Sequence, residues 1–374
     1  MAGNNKHTNA VLLHDWLVGF RGGERVLEAI CEMYPESPLY TLIHKKNTTS
    51  TIIESRKISA SFLNKIPGID KHYRKLLPLF PFAADGIKIQ ETTPLVLSSS
   101  HCVIKGVQKP EGSVHISYVH SPMRYLYDQF DSYFGKHAPL YQQLGAKACR
   151  GYLTRWDIAS NDNVDHFIAN SNFVKERIKK YYKRDSTVIH PFVDLKDFRT
   201  DQKSDNSHKQ DFYLMVTAFA PNKRVDLAIE AFNDLKKPLK IIGSGQQEEW
   251  LKSLAHPNIE FLGNVSREEV IKLMKAARGF IFPGVEDFGI TPLESLASGT
   301  PVIAFKAGGV LETLNDETAF FFEDATSNAL IQAVLDFEKE NYSLNVLYQQ
   351  AENFSKEFFI SRLKGFIDEV VPNK

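Results

Sequence analysis

Two glutamates stand eight positions apart in GVEDFGITPLESLASGTPVIAFKAGG (284–309): Glu286 and Glu294, with Gly289 and Pro292 between them. Paired carboxylates beside a glycine turn can grip hydroxyls, and a helix opening after such a turn offers backbone N–H groups to an anion. A sugar nucleotide presents both. A purely structural role competes for the second acid. Thr291, Pro292 and Glu294 fit a capping box, with hydroxyl at N-cap, proline at N1 and carboxylate at N3. Glu286 precedes that box and has no such alternative beyond a solvated loop acid.

Other groups capable of chemistry lie where an apolar run gives way to a helix. Lys223 and Arg224 in FAPNKRVD follow one such run, a place that suits a pyrophosphate or an exposed first turn. Gly22 and Gly23 open a helical pattern after another. His120 ends HISYVH and Asp15 ends NAVLLHD, while Arg124 and Tyr125 follow His120 closely. No D-x-D triplet, zinc spacing, P-loop or G-x-S-x-G occurs, so no metal site is expected. IIGSGQQEEW carries only the first two glycines of a dinucleotide fingerprint, which argues against hydride transfer.

These residues need elements to position them. Short apolar runs alternate with helical patterns along the chain. NAVLLHD, SPLYTLIH, PLVLSSS, HISYVHS and DHFIANS read as strands, followed by DFYLMVTAF, LKIIGSG, IEFLGNV, GFIFPG, PVIAF and AFFFE. Val225, Ala228, Ile229 and Phe232 keep helical spacing between two of them. Such alternation predicts an α/β fold of doubly wound parallel sheets with helices on both faces. At 374 residues, two domains are expected. The polar stretch KDFRTDQKSDNSHKQ (196–210) reads as a linker between an N-terminal domain, 1–195, and a C-terminal domain, 196–352.

With 45 basic and 45 acidic residues, bulk binding of nucleic acid is not expected. Three unclustered cysteines suggest a reducing compartment. No run of eighteen apolar residues occurs, so a cytoplasmic protein is expected, at most peripheral on the inner face of a membrane. In DKHYRKLLPLFPF (70–82), Lys71, Arg74 and Lys75 rim apolar residues. That stretch reads as core packing with a charged edge, or as a surface for anionic lipid.

The acid pair, the small-residue helix after it, PVIAF and the Gly-Gly pair together resemble the signature of the family 4 retaining glycosyltransferases. HDWLVGFRGGERVLEAI, YVHSPMRYLYD, FIANSNFVKERIKKYY, APNKRVDLAIEAFN and LKIIGSG extend the likeness over nearly the whole chain, closest to the bacterial O-antigen mannosyltransferases. The resemblance implies a GT-B fold, two Rossmann-like domains facing across a cleft, with 353–374 crossing back onto the first domain. It implies transfer of a hexose, best matched by mannose from GDP-mannose, to a glycan or lipid-linked sugar in surface polysaccharide synthesis, without a further cofactor. Glu286 would contact donor-sugar hydroxyls and Glu294 the ribose. The amides of Phe288, Gly289 and Ile290, with Lys223 and Arg224, would hold the phosphates. Gly22 and Gly23 would approach donor phosphate or acceptor, and His120 would face the donor sugar. Asp15, Arg124 and Tyr125 would lie on the acceptor side. The family's usual arginine five residues before Lys223 is Ala218 here. A sugar-nucleotide epimerase and a nucleotide-sugar binder without turnover are the alternatives.

Overall fold

The computed structural model of the chain describes residues 9–135, 139–198 and 209–372. They form two compact units: the residues up to His190 together with those from Phe359 on, and Pro191–Phe358.

The first unit is built on β1 (Ala10–Leu17), β2 (Leu39–His44), β3 (Ile58–Ala60), β4 (Leu95–Ser100), β5 (Val114–Val119), β6 (His166–Ala169) and β7 (Thr187–Val188). All pair in parallel, in the order β3-β2-β1-β4-β5-β6-β7. The second unit has β8 (Tyr213–Val216), β9 (Leu239–Ile242), β10 (Ile259–Gly263), β11 (Gly279–Phe282), β12 (Val302–Phe305) and β13 (Ala319–Phe322). Its parallel order is β10-β9-β8-β11-β12-β13.

Strands such as AVLL and VIA are buried without alternation because helices cover both faces of a parallel sheet. The helix Val225–Leu235 sets Val225, Ala228, Ile229 and Phe232 into the core, as their spacing predicts. All eleven runs read as strands contain one. The edge strands β3 and β7, of three and two residues, are too short for periodicity to reveal. DFYLMVTAF stops being strand at Val216, where the chain leaves the sheet for a loop.

Of the expected linker, 199–208 lies outside the described residues. Its beginning is not a surface loop. Leu195–Asp197 forms a 3-10 turn, and Phe198 is buried in the core of the second unit. The helix Lys356–Val370 buries Phe359, Leu363 and Ile367. Phe359 meets Tyr118 edge-on at 5.9 Å, and Phe366 meets His166 at 6.0 Å, so the chain returns to the first unit.

In each sheet the first strand is central, and strand order reverses beside it: at β1/β4 in one unit, at β8/β11 in the other. Ligands of open α/β sheets bind beyond the carboxyl ends of strands at such a reversal.

Candidate functional site

Beyond β8 and β11 the second unit brings two loops onto one another. Pro221–Lys223 makes one 3-10 turn, and Val285 N–H donates to the Asn222 carbonyl at 3.2 Å. A side chain at Gly284 would sit 2.7 Å from Lys223 Cα, so only glycine permits that approach. The result is an ion pair between the Lys223 ammonium and the Glu286 carboxylate, each side chain about one-fifth exposed (19% and 18%). The loop after β12 closes on the same segment. Gly309 N–H donates to the Glu286 carbonyl at 2.9 Å, and a Cβ on Gly308 would fall 2.6 Å from that oxygen. The Gly-Gly pair is therefore explained by packing against the Glu286 backbone.

Helix Ile290–Ala297 starts two residues earlier than a capping box would require. Gly289 is its N-cap, at φ 88° in the left-handed region. Thr291 lies inside the first turn and Glu294 in the body of the helix. The cap reading of Glu294 is thus corrected. Its carboxylate is nearly buried and pairs with Arg267 Nη2 at 2.8 Å. Phe288 turns its ring into the core against Phe354 at 5.7 Å, while Ile290 is only partly buried.

Arg224 departs from its neighbour. It occupies the left-handed region at φ 50°, capping the helix that follows, and its Nε reaches Asp226 at 3.2 Å. Among the described residues the cation paired with Glu286 is Lys223, and Ala218 is exposed with no charge to add.

The reversal in the first unit is furnished differently. Ser99 Oγ lies 3.1 Å from His14 Nδ1 and 2.8 Å from His120 Nε2, so the hydroxyl bridges the two imidazoles. The backbone of Gly23 leaves ordinary van der Waals room over these two rings (3.7 Å to His120 Nε2), and Gly22 begins the same helix, Gly22–Met33. Burial, reinforced by His101 and His14, pushes His120 down to about 3, so at neutral pH it is an uncharged hydrogen-bonding group. Burial acts to raise the Glu24 carboxyl, but the His14 imidazole, 3.8 Å away, and a backbone N–H outweigh it and hold it at about 2. His14 Nε2 is buried without a hydrogen-bond partner among the described residues.

Asp15 is fully committed elsewhere. Its two oxygens accept N–H bonds from His101, Cys102, Val103 and Ile104 at 2.7–2.9 Å. It holds the turn after β4, and its four bonds leave no acceptor-facing lone pair. The Tyr125 hydroxyl and Cys102 Sγ share a hydrogen bond at 2.9 Å, and the ring packs against the core of the first unit. Arg124 is partly buried, and its carbonyl accepts the Gln129 N–H. Among the described residues no three or more His, Cys, Asp or Glu side chains are grouped to hold a metal ion.

The reading by motif missed His14, Glu24, Ser99, His101 and Arg267. His14, Ser99 and His101 carried a signal, whereas Glu24, on a helix, did not. His14-Asp15 and the run Ser98-Ser99-Ser100-His101 put polar groups into strands that otherwise must be wholly apolar.

The family model described as glycosyl transferases group 1 matches residues 196–354. Over that stretch, most of the second unit, the chain is similar to the group 1 glycosyl transferases. Three curated relatives share parts of the chain. An uncharacterised glycosyltransferase of Methanocaldococcus jannaschii is 29% identical over 202 residues, 52% of this chain and 56% of its own. O-antigen chain mannosyltransferase C of Escherichia coli is 26% identical over 214 residues, 53% and 57% respectively. A GDP-mannose-dependent phosphatidylinositol monomannoside mannosyltransferase of Corynebacterium glutamicum is 30% identical over 200 residues, 46% and 52%. The chain thus spans just over half the length of these curated relatives. Among solved structures, sucrose-phosphate synthase from Thermosynechococcus elongatus superposes with a TM-score of 0.73 over 97% of this chain and 99% of its own, at 17% identity. At that identity the fold alone is shared, and it is GT-B. Within the stretch that the family model matches, Glu286, Lys223 and the start of the Gly289-capped helix lie together at the β8/β11 reversal.

Proposed function

We propose that this chain is a retaining glycosyltransferase that moves a hexose, mannose from GDP-mannose by preference, to a sugar hydroxyl. The observation that carries the reading is the Lys223–Glu286 pair, clamped by three loops beside the N-terminus of helix Ile290–Ala297. The donor's diphosphate takes Lys223 from Glu286 and meets the helix N-terminus. Glu286, released from its partner, then accepts hydrogen bonds from donor-sugar hydroxyls. As the bond from the sugar's anomeric carbon to the phosphate oxygen breaks, charge grows on the leaving diphosphate, where Lys223 and the amides of Phe288, Gly289 and Ile290 stabilise it. The acceptor oxygen bonds to that carbon, and its proton passes to the departing phosphate. Glu294 holds the ribose, and uncharged His120 offers a hydrogen bond to a sugar hydroxyl.

The mannosyltransferase relatives support mannose as the sugar and a surface polysaccharide or glycolipid as the acceptor. An acceptor on a lipid carrier calls for contact with an anionic membrane surface. Lys71, Arg74 and Lys75 are exposed, and Phe82, Leu140, Tyr141 and Leu144 are each more than half exposed in the same unit. No described helix is long and apolar enough to cross a membrane. Neutralising the three basic residues should reduce sedimentation with anionic vesicles; unchanged partitioning would remove the membrane part of the reading.

Thermal stabilisation by GDP, UDP, ADP, CMP and their sugar conjugates tests the donor. A ligand at a hundred times its dissociation constant adds about 2.7 kcal/mol. A GDP-selective shift that disappears in Glu294→Ala is expected, and no shift with any nucleotide would overturn the proposal.

A further inference from the structure

Arg267 has no role in the site as read from motifs, yet its surroundings are specific. It is the first residue of helix Arg267–Ala276, directly after the Ser266 cap. A cation there opposes the helix dipole, so the residue is not placed for the helix's benefit. Its Nη2 instead lies 2.8 Å from Glu294 Oε1 and 3.6 Å from Asp197 Oδ2. The guanidinium plane rests on Phe198, 4.9 Å from the ring centroid, and Phe198 is itself only 2% exposed. Three separate segments therefore fix one cation: the turn Leu195–Asp197, the start of this helix and the helix of Glu294. Its Nε is buried with no hydrogen-bond partner among the described residues.

We propose that Arg267 is a positioning residue of the nucleotide site, holding Glu294 in the orientation that receives the ribose hydroxyls. The proposal rests on the reading of Glu294 as the ribose acid. A carboxylate as buried as Glu294 needs a partner in the folded chain, and a flexible partner would let it turn away. Arg267 supplies a rigid one, because its planar group is stacked on an aromatic face and braced by a second acid. One Glu294 oxygen is engaged by this pair, which sets the direction of the other.

The test is calorimetric titration of the full chain with the tightest binder among GDP, UDP and ADP, and with the 2′,3′-dideoxy form of the same nucleotide. Arg267→Met should weaken the ribonucleotide about tenfold and leave the dideoxy form unchanged, so the preference between them collapses. Arg267→Lys keeps charge without the planar fork and should fall between. Equal weakening of both nucleotides, or an intact preference, overturns the proposal. Asp197→Asn guards against misfolding of the arginine variants: it spares the Arg267–Glu294 pair and should keep the preference, whereas collapse there would assign positioning to the turn instead. Glu294→Gln separates the two readings. If it leaves the ribose preference intact, the ribose assignment itself fails, whatever Arg267 does; a wild-type chain that binds none of the three nucleotides would remove both.

Discussion

The β1/β4 and β8/β11 reversals occupy the same place in their sheets and carry opposite chemistry. The second unit offers formal charge held in pairs, Lys223 with Glu286 and Arg267 with Glu294, each partly open to solvent. The first offers imidazoles joined through Ser99, with Glu24 tucked against His14 and Asp15 bound by the turn after β4. A charged pair at a reversal can be opened by an anion that claims the cation. Imidazoles bridged by a hydroxyl offer no such exchangeable cation and suit hydroxyls. The comparison also shows where each unit keeps its structural charge. In the first unit the Lys105–Asp157 pair is deep in the interior, with Ser160 and Asn161 completing the ammonium's hydrogen bonds. That structural pair is separate from the candidate site.

The largest expected effect follows from that separation. Lys105→Met leaves the Asp157 carboxylate buried without its partner, a change that costs roughly 3–5 kcal/mol. Denaturant unfolding should show the loss, and hydrogen exchange should confine it to the residues up to His190 and those beyond Phe359. Loss of protection spread evenly over both units would break the comparison. Next in size, Lys223→Ala should lower turnover about a hundredfold, roughly 3 kcal/mol in the transition state, with little change in melting temperature. A large fall in stability with ordinary turnover would make the Lys223–Glu286 pair a structural clamp.

Acid should act on the first unit. Burial pushes His115 down to about 4 despite its bonds to Asn163 and Ser98, and holds His120 at about 3. In the unfolded chain both titrate near 6.5, so below that pH the unfolded state binds more protons. Stability is therefore unaffected above about pH 7 and falls as pH drops from 6.5 towards 4. For the wholly buried His115 the loss is about 2–3 kcal/mol at pH 4.5. His115→Gln should flatten the profile between those limits. A chain that loses stability over that range equally in both units would contradict the contrast drawn above.

Strand–helix alternation, the two sheets and the acid pair were legible because they depend on periodicity and on local motif. The capping box was misread for a local reason: Gly289 takes a positive φ and caps the helix, which moves its start two residues earlier, and propensity cannot see that shift. Asp15 was misassigned because its four N–H donors come from 101–104, more than eighty residues away. Arg267 was invisible for the same kind of reason, since its partners are Asp197 and Glu294, on separate segments. What a side chain does alone could be guessed from its type; what it is committed to could not.

The smallest expected effect tests this last distinction between two adjacent cations. Lys223 and Arg224 are equivalent by charge and position in FAPNKRVD, and by type either suits a phosphate site. The fold separates them. Lys223 faces Glu286, whereas Arg224 is turned by its left-handed backbone toward Asp226 and is exposed enough for water to screen it. A surface pair of this kind contributes about 0–1 kcal/mol. Arg224→Gln should thus change donor KM by less than about threefold and leave kcat alone, against the hundredfold loss at Lys223. Arg224→Gly should go further and stabilise the chain slightly, because glycine adopts φ 50° without strain. A loss at Arg224 matching that at Lys223 would mean that the donor pulls Arg224 from Asp226, and the site would then be built on two cations.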